Sequence, residues 1–510
     1  MKNVNQLKVG SLLSYGQMFL NIIIGLLYTP IMIRLLGKSE YGLYNTVSSI
    51  ISMLSILNLG FNAGYVRYYS KYKQNNDKKS IEKLNGLFLI VFLIIGFIAL
   101  LCGLFLTFNL NLIFGTGLTL EEYNIARVLM LMLTINLALS FPFSVFSNII
   151  ATHERFVFLK LVGMLKTVVG PLVTLPVLLL GYGSIALVVI NVILSIIVDI
   201  IYVFFVKISL KQKFDFRNFE KGLLRSLFVY TSFIAINLIV DQINWSIDKF
   251  LLGRYKGTSA VAVYSVGYAL YSYYMSFSVS ISNVFTPRIH KIVSETQENL
   301  LEQKKQLTNL FTKVGRIQFL LLGLVASGVV FFGKPFIYYW AGVGYEEAYY
   351  VALLLILPAS IALIQNIGIE IQRAENKHRF RSIVYLIMAV INLCLSIFLC
   401  QRYGVIGSAI GTAFSLIIAN GIIMNIYYHR RCNIDMIYFW GNIIKMSIGL
   451  IIPIIVGIVI QNLVNLNNIF ILLLFICVYS IIYGLSMWFL GMNDGEKSLI
   501  KKTLRKILKK

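Results

Sequence analysis

The chain has 510 residues, 58% of them hydrophobic and 13% charged, with a formal net charge of +24 and a mean hydropathy of +0.80. Soluble domains carry about a quarter charged residues, so there is too little polar surface here to cover a water-soluble globule. The apolar residues come in runs of about 20 or more, enough to cross a ~30 Å hydrocarbon core; such runs must be helical where no water satisfies the backbone, and the ~10-residue alternating segments of a membrane β-barrel do not occur.

The fold class is therefore all-α and integral to a membrane. Fourteen spans are predicted, over residues 10–33, 41–66, 84–106, 125–150, 157–180, 184–206, 226–252, 260–284, 317–333, 348–370, 381–400, 405–427, 437–461 and 468–490. The ninth is short because Gly333, Lys334 and Pro335 end it. The first is too long for a signal-peptide core and no small-residue cleavage site follows it, so it reads as a retained helix. Cys102, Cys394, Cys400, Cys432 and Cys477 show neither metal nor disulfide spacing and read as packing residues.

Charge orients the spans. With the N-terminus cytoplasmic, the inner ends hold 35 of the 45 basic residues and the outer ends hold 8, among them Arg34, Arg254, Lys334 and Arg402. This is the positive-inside bias. The net charge is thus topological, and no nucleic-acid partner is expected. Both termini are expected in the cytoplasm and the protein in the cell membrane. The tail from Lys497 to Lys510 reads either as a basic amphipathic helix on the inner leaflet or as a solvated charge run.

Two related halves follow one another at an offset near 220. Leu35-Leu36-Gly37 ends span 1 and Leu251-Leu252-Gly253 ends span 7. Asn21 pairs with Asn237, Asn62 with Asn283, Arg67 with Arg288, Phe156 with Phe380, and Tyr182-Gly183 with Tyr403-Gly404. Six spans, an even number, precede span 7, so the halves share one orientation, an arrangement common in transporters with a central cavity. The expected organisation is a six-helix bundle over 1–215, a second over 216–432, two further helices over 433–492 and a basic tail over 493–510.

The stretches LLGKSEYGLYN (35–45) and LNLGFNAGYVRYYSKY (57–72) resemble the N-terminal signature of bacterial polysaccharide flippases of the multidrug/oligosaccharidyl-lipid/polysaccharide exporter superfamily. Chain length, helix count and paired halves agree with it. The resemblance implies a V-shaped pair of bundles around a cavity that carries a polyprenyl-pyrophosphate-linked oligosaccharide from the inner to the outer leaflet.

Span 7 is the most informative helix. Asn237, Asp241, Asn244 and Asp248 recur at i, i+4, i+7 and i+11, on one face. A charge near the bilayer centre costs about 2.5–3.5 kcal/mol on insertion scales, so Asp241 needs a wet cavity or a partner helix. Gln17, Asn21 and Tyr28 form a weaker stripe on span 1. These stripes either line a cavity or bond between helices. A pyrophosphate calls for cations, and Arg34, Arg67, Lys249 and Arg254 are the candidates, although basic residues at helix ends also snorkel. Tyr268 and Tyr271, with Tyr264, offer a tyrosine face for sugar or for the interface. Asp199 and Asp241 are candidates for proton or sodium coupling, with Lys166 and Lys445 as alternative structural partners.

No catalytic group, metal site or cofactor is expected. His153, His290, His378 and His429 all fall in basic inner-end loops, where solvated or interfacial roles are expected, and no phosphate-binding loop occurs. Besides the lipid-linked oligosaccharide, expected partners are membrane lipid, a coupling H+ or Na+ and other polysaccharide-assembly proteins. A cation-coupled multidrug exporter or a peptidoglycan-precursor flippase of the same superfamily remains an alternative; a membrane enzyme such as a polysaccharide polymerase fits less well.

Overall fold

The computed structural model describes residues 6–115, 118–217, 221–296, 298–375, 377–498, 501 and 505, and every regular element among them is helical. In chain order these are α1 (Gln6–Leu54), α2 (Phe61–Gln74), α3 (Lys78–Phe108), α4 (Leu110–Phe114), α5 (Leu120–Thr152), α6 (Phe156–Leu179), α7 (Gly183–Phe204), α8 (Lys221–Lys256) and α9 (Thr258–Glu295). They continue as α10 (Leu300–Ala341), α11 (Glu347–Ile364), α12 (Ile367–Ala374), α13 (His378–Leu416), α14 (Met424–Arg431), α15 (Met436–Ser447), α16 (Ile451–Leu463) and α17 (Ile469–Ser486).

Among the described residues, ten helices are long and apolar enough to cross a membrane, or eleven if the bent pair Gly222–Val229 and Ile234–Lys256 is one span. The fourteen predicted spans fall on fewer helices: two pairs are merged into long helices, the seventh counts only as the bent pair, and α9, on which the eighth falls, is not among the helices that are long and apolar enough. At 1.5 Å per residue the 49 residues of α1 would run about 74 Å, more than twice the hydrocarbon core. Gly37 breaks that run with φ 75 and ψ 170, between the first two predicted spans. Gly404 breaks α13 in the same way, with φ 59, between the eleventh and twelfth. Only glycine takes such angles without a Cβ penalty. Gly183 has φ 63 beside 59 at Gly404, its counterpart at offset 221, whereas Gly253, the counterpart of Gly37, is helical and the positive φ falls four residues later, at Gly257 with φ 81.

The ninth span differs from expectation. The helix passes through Pro335 and ends at Ala341, where Gly342 turns it off with φ 97. Proline forfeits one hydrogen bond and kinks a helix, but a long apolar run in a membrane has no better way to satisfy its backbone. The tail beyond Ser498, apart from Lys501 and Arg505, lies outside the described residues.

The chain divides into two compact units, Met1–Ser265 with Ser396–Ser408, and Val266–Leu395 with Ala409–Lys510. The first therefore includes α8 and the start of α9 as well as α1–α7. Its core is aromatic: Phe61, Tyr65, Phe88 and Phe92 are buried, and Phe61 meets Phe88 and Phe92 edge-on at 6.4 and 6.3 Å, the geometry that ring quadrupoles favour. In the second unit α10 is the organising helix. Phe311 packs on Phe439 of α15 and Phe332 on Tyr479 of α17. Arg316, in the middle of α10, is buried together with Glu496; its Nε and Nη2 donate to that carboxylate at 2.6 and 2.9 Å, and it also reaches the carbonyls of Asn442 and Gly491 at 2.9 Å. One guanidinium thus ties α10 to α15 and to the segment after α17.

Candidate functional site

The polar stripe of α8 divides once its neighbours are known. Asp248 is 1% exposed and its carboxylate accepts hydrogen bonds from Tyr264 Oη and Ser408 Oγ, both at 2.7 Å. These join α8 to the start of α9 and to the 396–408 segment, so Asp248 bonds between helices. Asp241, two turns earlier and near the middle of the predicted span, is exposed, and Asn244 is half-buried beside it. The Asn237 side chain lies outside the described residues.

A second polar row on α8, unmarked by the sequence reading, faces α1. Ser246 Oγ donates to Gln242 Oε1 at 2.8 Å, Gln242 Nε2 donates to Ser55 Oγ at 3.0 Å, and Ser246 and Ser52 share a hydrogen bond of 3.2 Å. Further along, Gly42 lies against Thr258: a Cβ on Gly42 would be 2.6 Å from the Thr258 carbonyl carbon. The Ser39 and Thr258 hydroxyl oxygens lie 3.0 Å apart, and each points its proton at the Glu122 carboxylate they share. Small residues are what permit so close an approach of helices in a membrane. The spacing Thr46, Ser49, Ser52, Ser55 was the available signal.

Within the first unit a cavity of about 360 Å³ opens between α1, α6 and α7. Tyr28, Tyr44, Lys166, Thr167, Thr174 and Asn191 line it. Lys166 Nζ donates to Ser195 Oγ at 2.8 Å, and Thr167 Oγ1 donates to Asn21 Oδ1 at 3.0 Å. Asp199, one turn beyond Ser195, acts electrostatically on Lys166. The structure thus brings Lys166, Asp199 and the span 1 residues Asn21 and Tyr28 to one neighbourhood.

The proposed cations do not gather there. Arg34, Arg67 and Arg254 are exposed and Lys249 is half-buried. In the second unit Tyr271 is buried, its ring 5.9 Å from that of half-buried Tyr268. The same unit holds an almost wholly apolar cavity of about 410 Å³ lined by Tyr274, Leu322, Ser360, Trp440, Leu450 and Ile454, among others. Among the described residues no group of three or more His, Cys, Asp or Glu could hold a metal ion.

His153, just beyond α5, is held rather than solvated. Tyr69 Oη lies 3.1 Å from its Nε2, and its Nδ1 lies 2.8 Å from the Ile149 carbonyl. Burial lowers its pKa below the usual 6.5, and the Lys73 and Arg155 charges lower it further. A histidine whose folded pKa is depressed contributes fully above its unfolded pKa, and that contribution is lost as pH falls below about 6.5, because the unfolded chain then takes up the proton first. Thermal unfolding from pH 7.5 to 5 should fall less steeply for His153→Gln than for the parent chain; parallel curves would remove the effect.

The model of the family described as polysaccharide biosynthesis protein matches residues 7–293, more than half of the chain. The "Putative O-antigen transporter" of Shigella flexneri is 20% identical over 410 residues, covering 79% of this chain and 92% of that protein. The "Probable low-salt glycan biosynthesis flippase Agl15" of Haloferax volcanii is 24% identical over 194 residues, 38% of this chain and 39% of the other. Among solved structures, lipid II flippase MurJ in an inward closed conformation superposes with a TM-score of 0.72 at 19% identity, covering 93% and 97% of the two chains. An inward-facing multidrug resistance transporter of the MATE family gives 0.60 at 13% identity, over 80% and 92%. The helical fold with its apolar spans and the family match over the N-terminal half lead to one assignment: the chain belongs to the polysaccharide biosynthesis protein family, as a multi-pass membrane protein.

Proposed function

We propose that this protein flips a polyprenyl-pyrophosphate-linked oligosaccharide from the cytoplasmic to the outer leaflet, for cell-surface polysaccharide synthesis, by alternating access. In this reading the bundles over 1–215 and 216–432 rock about a hydrated path, both termini are cytoplasmic, and the protein resides in the cell membrane. The observation that carries it is Asp241: a carboxylate exposed at membrane depth on α8 is costly against lipid and calls for water or a countercharge. The glycan relatives favour a saccharide cargo, and the flippase fold favours a lipid-linked one. The apolar cavity beside α15 and α16 suits part of a hydrocarbon chain. Arg67 supplies a cation for the pyrophosphate. Lys166 and Asp199, with Asp241, form the candidate ion-coupling set for H+ or Na+.

Asp241→Asn and Arg67→Ala should each reduce surface polymer roughly 10- to 100-fold, the loss of one charge-assisted contact worth about 1.5–3 kcal/mol, with the protein still in the membrane. Lipid-linked saccharide should accumulate on the inner leaflet of a deletion strain. Full polymer from both variants would refute the assignment of these residues. A cationic-drug exporter is the second reading, favoured by the negative charge of Asp241 and by the MATE-like fold; drug hypersensitivity of the deletion strain with unaltered polymer would select it.

A further inference from the structure

The second unit carries another cavity, of about 400 Å³, between the end of α10 and the turn that joins α16 to α17. This volume falls within the range of small-ligand sites. Gly342 stops α10 on one side, and on the other α16 ends at Leu463. Tyr338, 52% exposed, and Tyr339 stand on α10 with rings 5.4 Å apart and nearly perpendicular. Tyr339 Oη reaches the Leu466 carbonyl at 3.5 Å and closes one wall. The facing wall contributes three amides, Gln461 from the last turn of α16 and Asn465 and Asn467 from the turn that follows. Asn465 spends its side-chain oxygen on the Asn467 N–H at 3.0 Å, which leaves its NH2 as a donor. Phe331 and Pro335 complete the apolar part of the lining.

We infer that this cavity is a saccharide-binding site for a neutral sugar of the exported oligosaccharide, on the outer face. The inference rests on the transport reading for its orientation and for the identity of the cargo. The lining matches a sugar group by group: an aromatic ring offers an apolar face to sugar C–H groups, and amides offer donors and acceptors together without charge. A phospholipid headgroup would call for surplus positive charge, whereas here one Lys334 is balanced by one Glu346. An interfacial tyrosine belt explains Tyr338 alone; it does not explain three amides on the uncharged wall opposite it.

The test uses the full chain in nanodiscs. The probe is the oligosaccharide released by mild acid from the lipid-linked pool of the producing cell. Tyr338→Ala and Asn467→Ala alter exposed side chains, and each should weaken binding roughly tenfold, or about 1.4 kcal/mol. Asp241→Asn should bind the free oligosaccharide as the parent does while failing to transport its lipid-linked form. Parent-like binding by both cavity variants, or no binding by the parent, would overturn the site. So would a co-purifying phospholipid that the parent retains and both variants lose. If the parent binds the saccharide but does not move the lipid-linked form across vesicles, the transport reading fails and the site stands.

Discussion

Replacing Arg316 with Met should destabilise the protein by about 3–5 kcal/mol, the cost of leaving one member of a buried ion pair without its partner. Arg316 and Glu496 side chains are each 6% exposed. With the guanidinium gone, the Glu496 carboxylate is left to the Asn493 N–H, at 2.9 Å. The carbonyls of Asn442 and Gly491 each lose a charged donor as well. The damage should centre on the attachment of α15–α17 to α10. The double variant Arg316→Met with Glu496→Leu should recover most of the loss, because a hydrophobic pair of similar volume often matches a buried ion pair. The measurement is the unfolding midpoint of purified protein. A single variant as stable as the double would show that the pair carries no such role.

A Gly42→Ala variant should lose at least about 1–3 kcal/mol, the usual cost of overpacking, and more if neither helix yields. The added Cβ would fall on the Thr258 carbonyl and lie 3.2 Å from the Ala262 nitrogen. These are main-chain atoms that no rotamer change can move. To make room, α1 and the start of α9 must part, and the hydrogen bonds of Ser39 and Glu122 with Thr258 would go with them. The contrast is Gly441 in α15, where an added Cβ meets nothing within 4 Å. Gly441→Ala should gain roughly 0.5–1 kcal/mol from helix propensity alone. Equal unfolding midpoints for Gly42→Ala and the parent would mean that the helices are not so closely packed. The same seam bears on transport, since Ser52 and Ser55, beyond Gly42 along the chain, bond to Ser246 and Gln242 of α8, the helix that carries Asp241.

The sequence by itself determined that the chain is helical and crosses a membrane many times, because hydrocarbon leaves the backbone no other way to pair its polar groups. It also marked Gly37 and Gly404 between predicted spans, where positive φ excludes most other residues. Helical period placed Asp241 and Asp248 on one face, yet period says nothing about what stands opposite. Only the tertiary structure decided that Asp248 is buried beneath Tyr264 and Ser408 while Asp241 stays exposed, because Ser408 arrives from 160 residues away. The same holds for Lys166 beside Asp199, and for Arg316, which reads as an ordinary inner-end cation until Glu496 is folded against it. Pro335 shows the reverse: local chemistry signalled a stop, and the need to satisfy an apolar helix in the membrane overrode it. Local rules set which residues can share a face; long-range packing sets which of them meet water, a partner or a ligand.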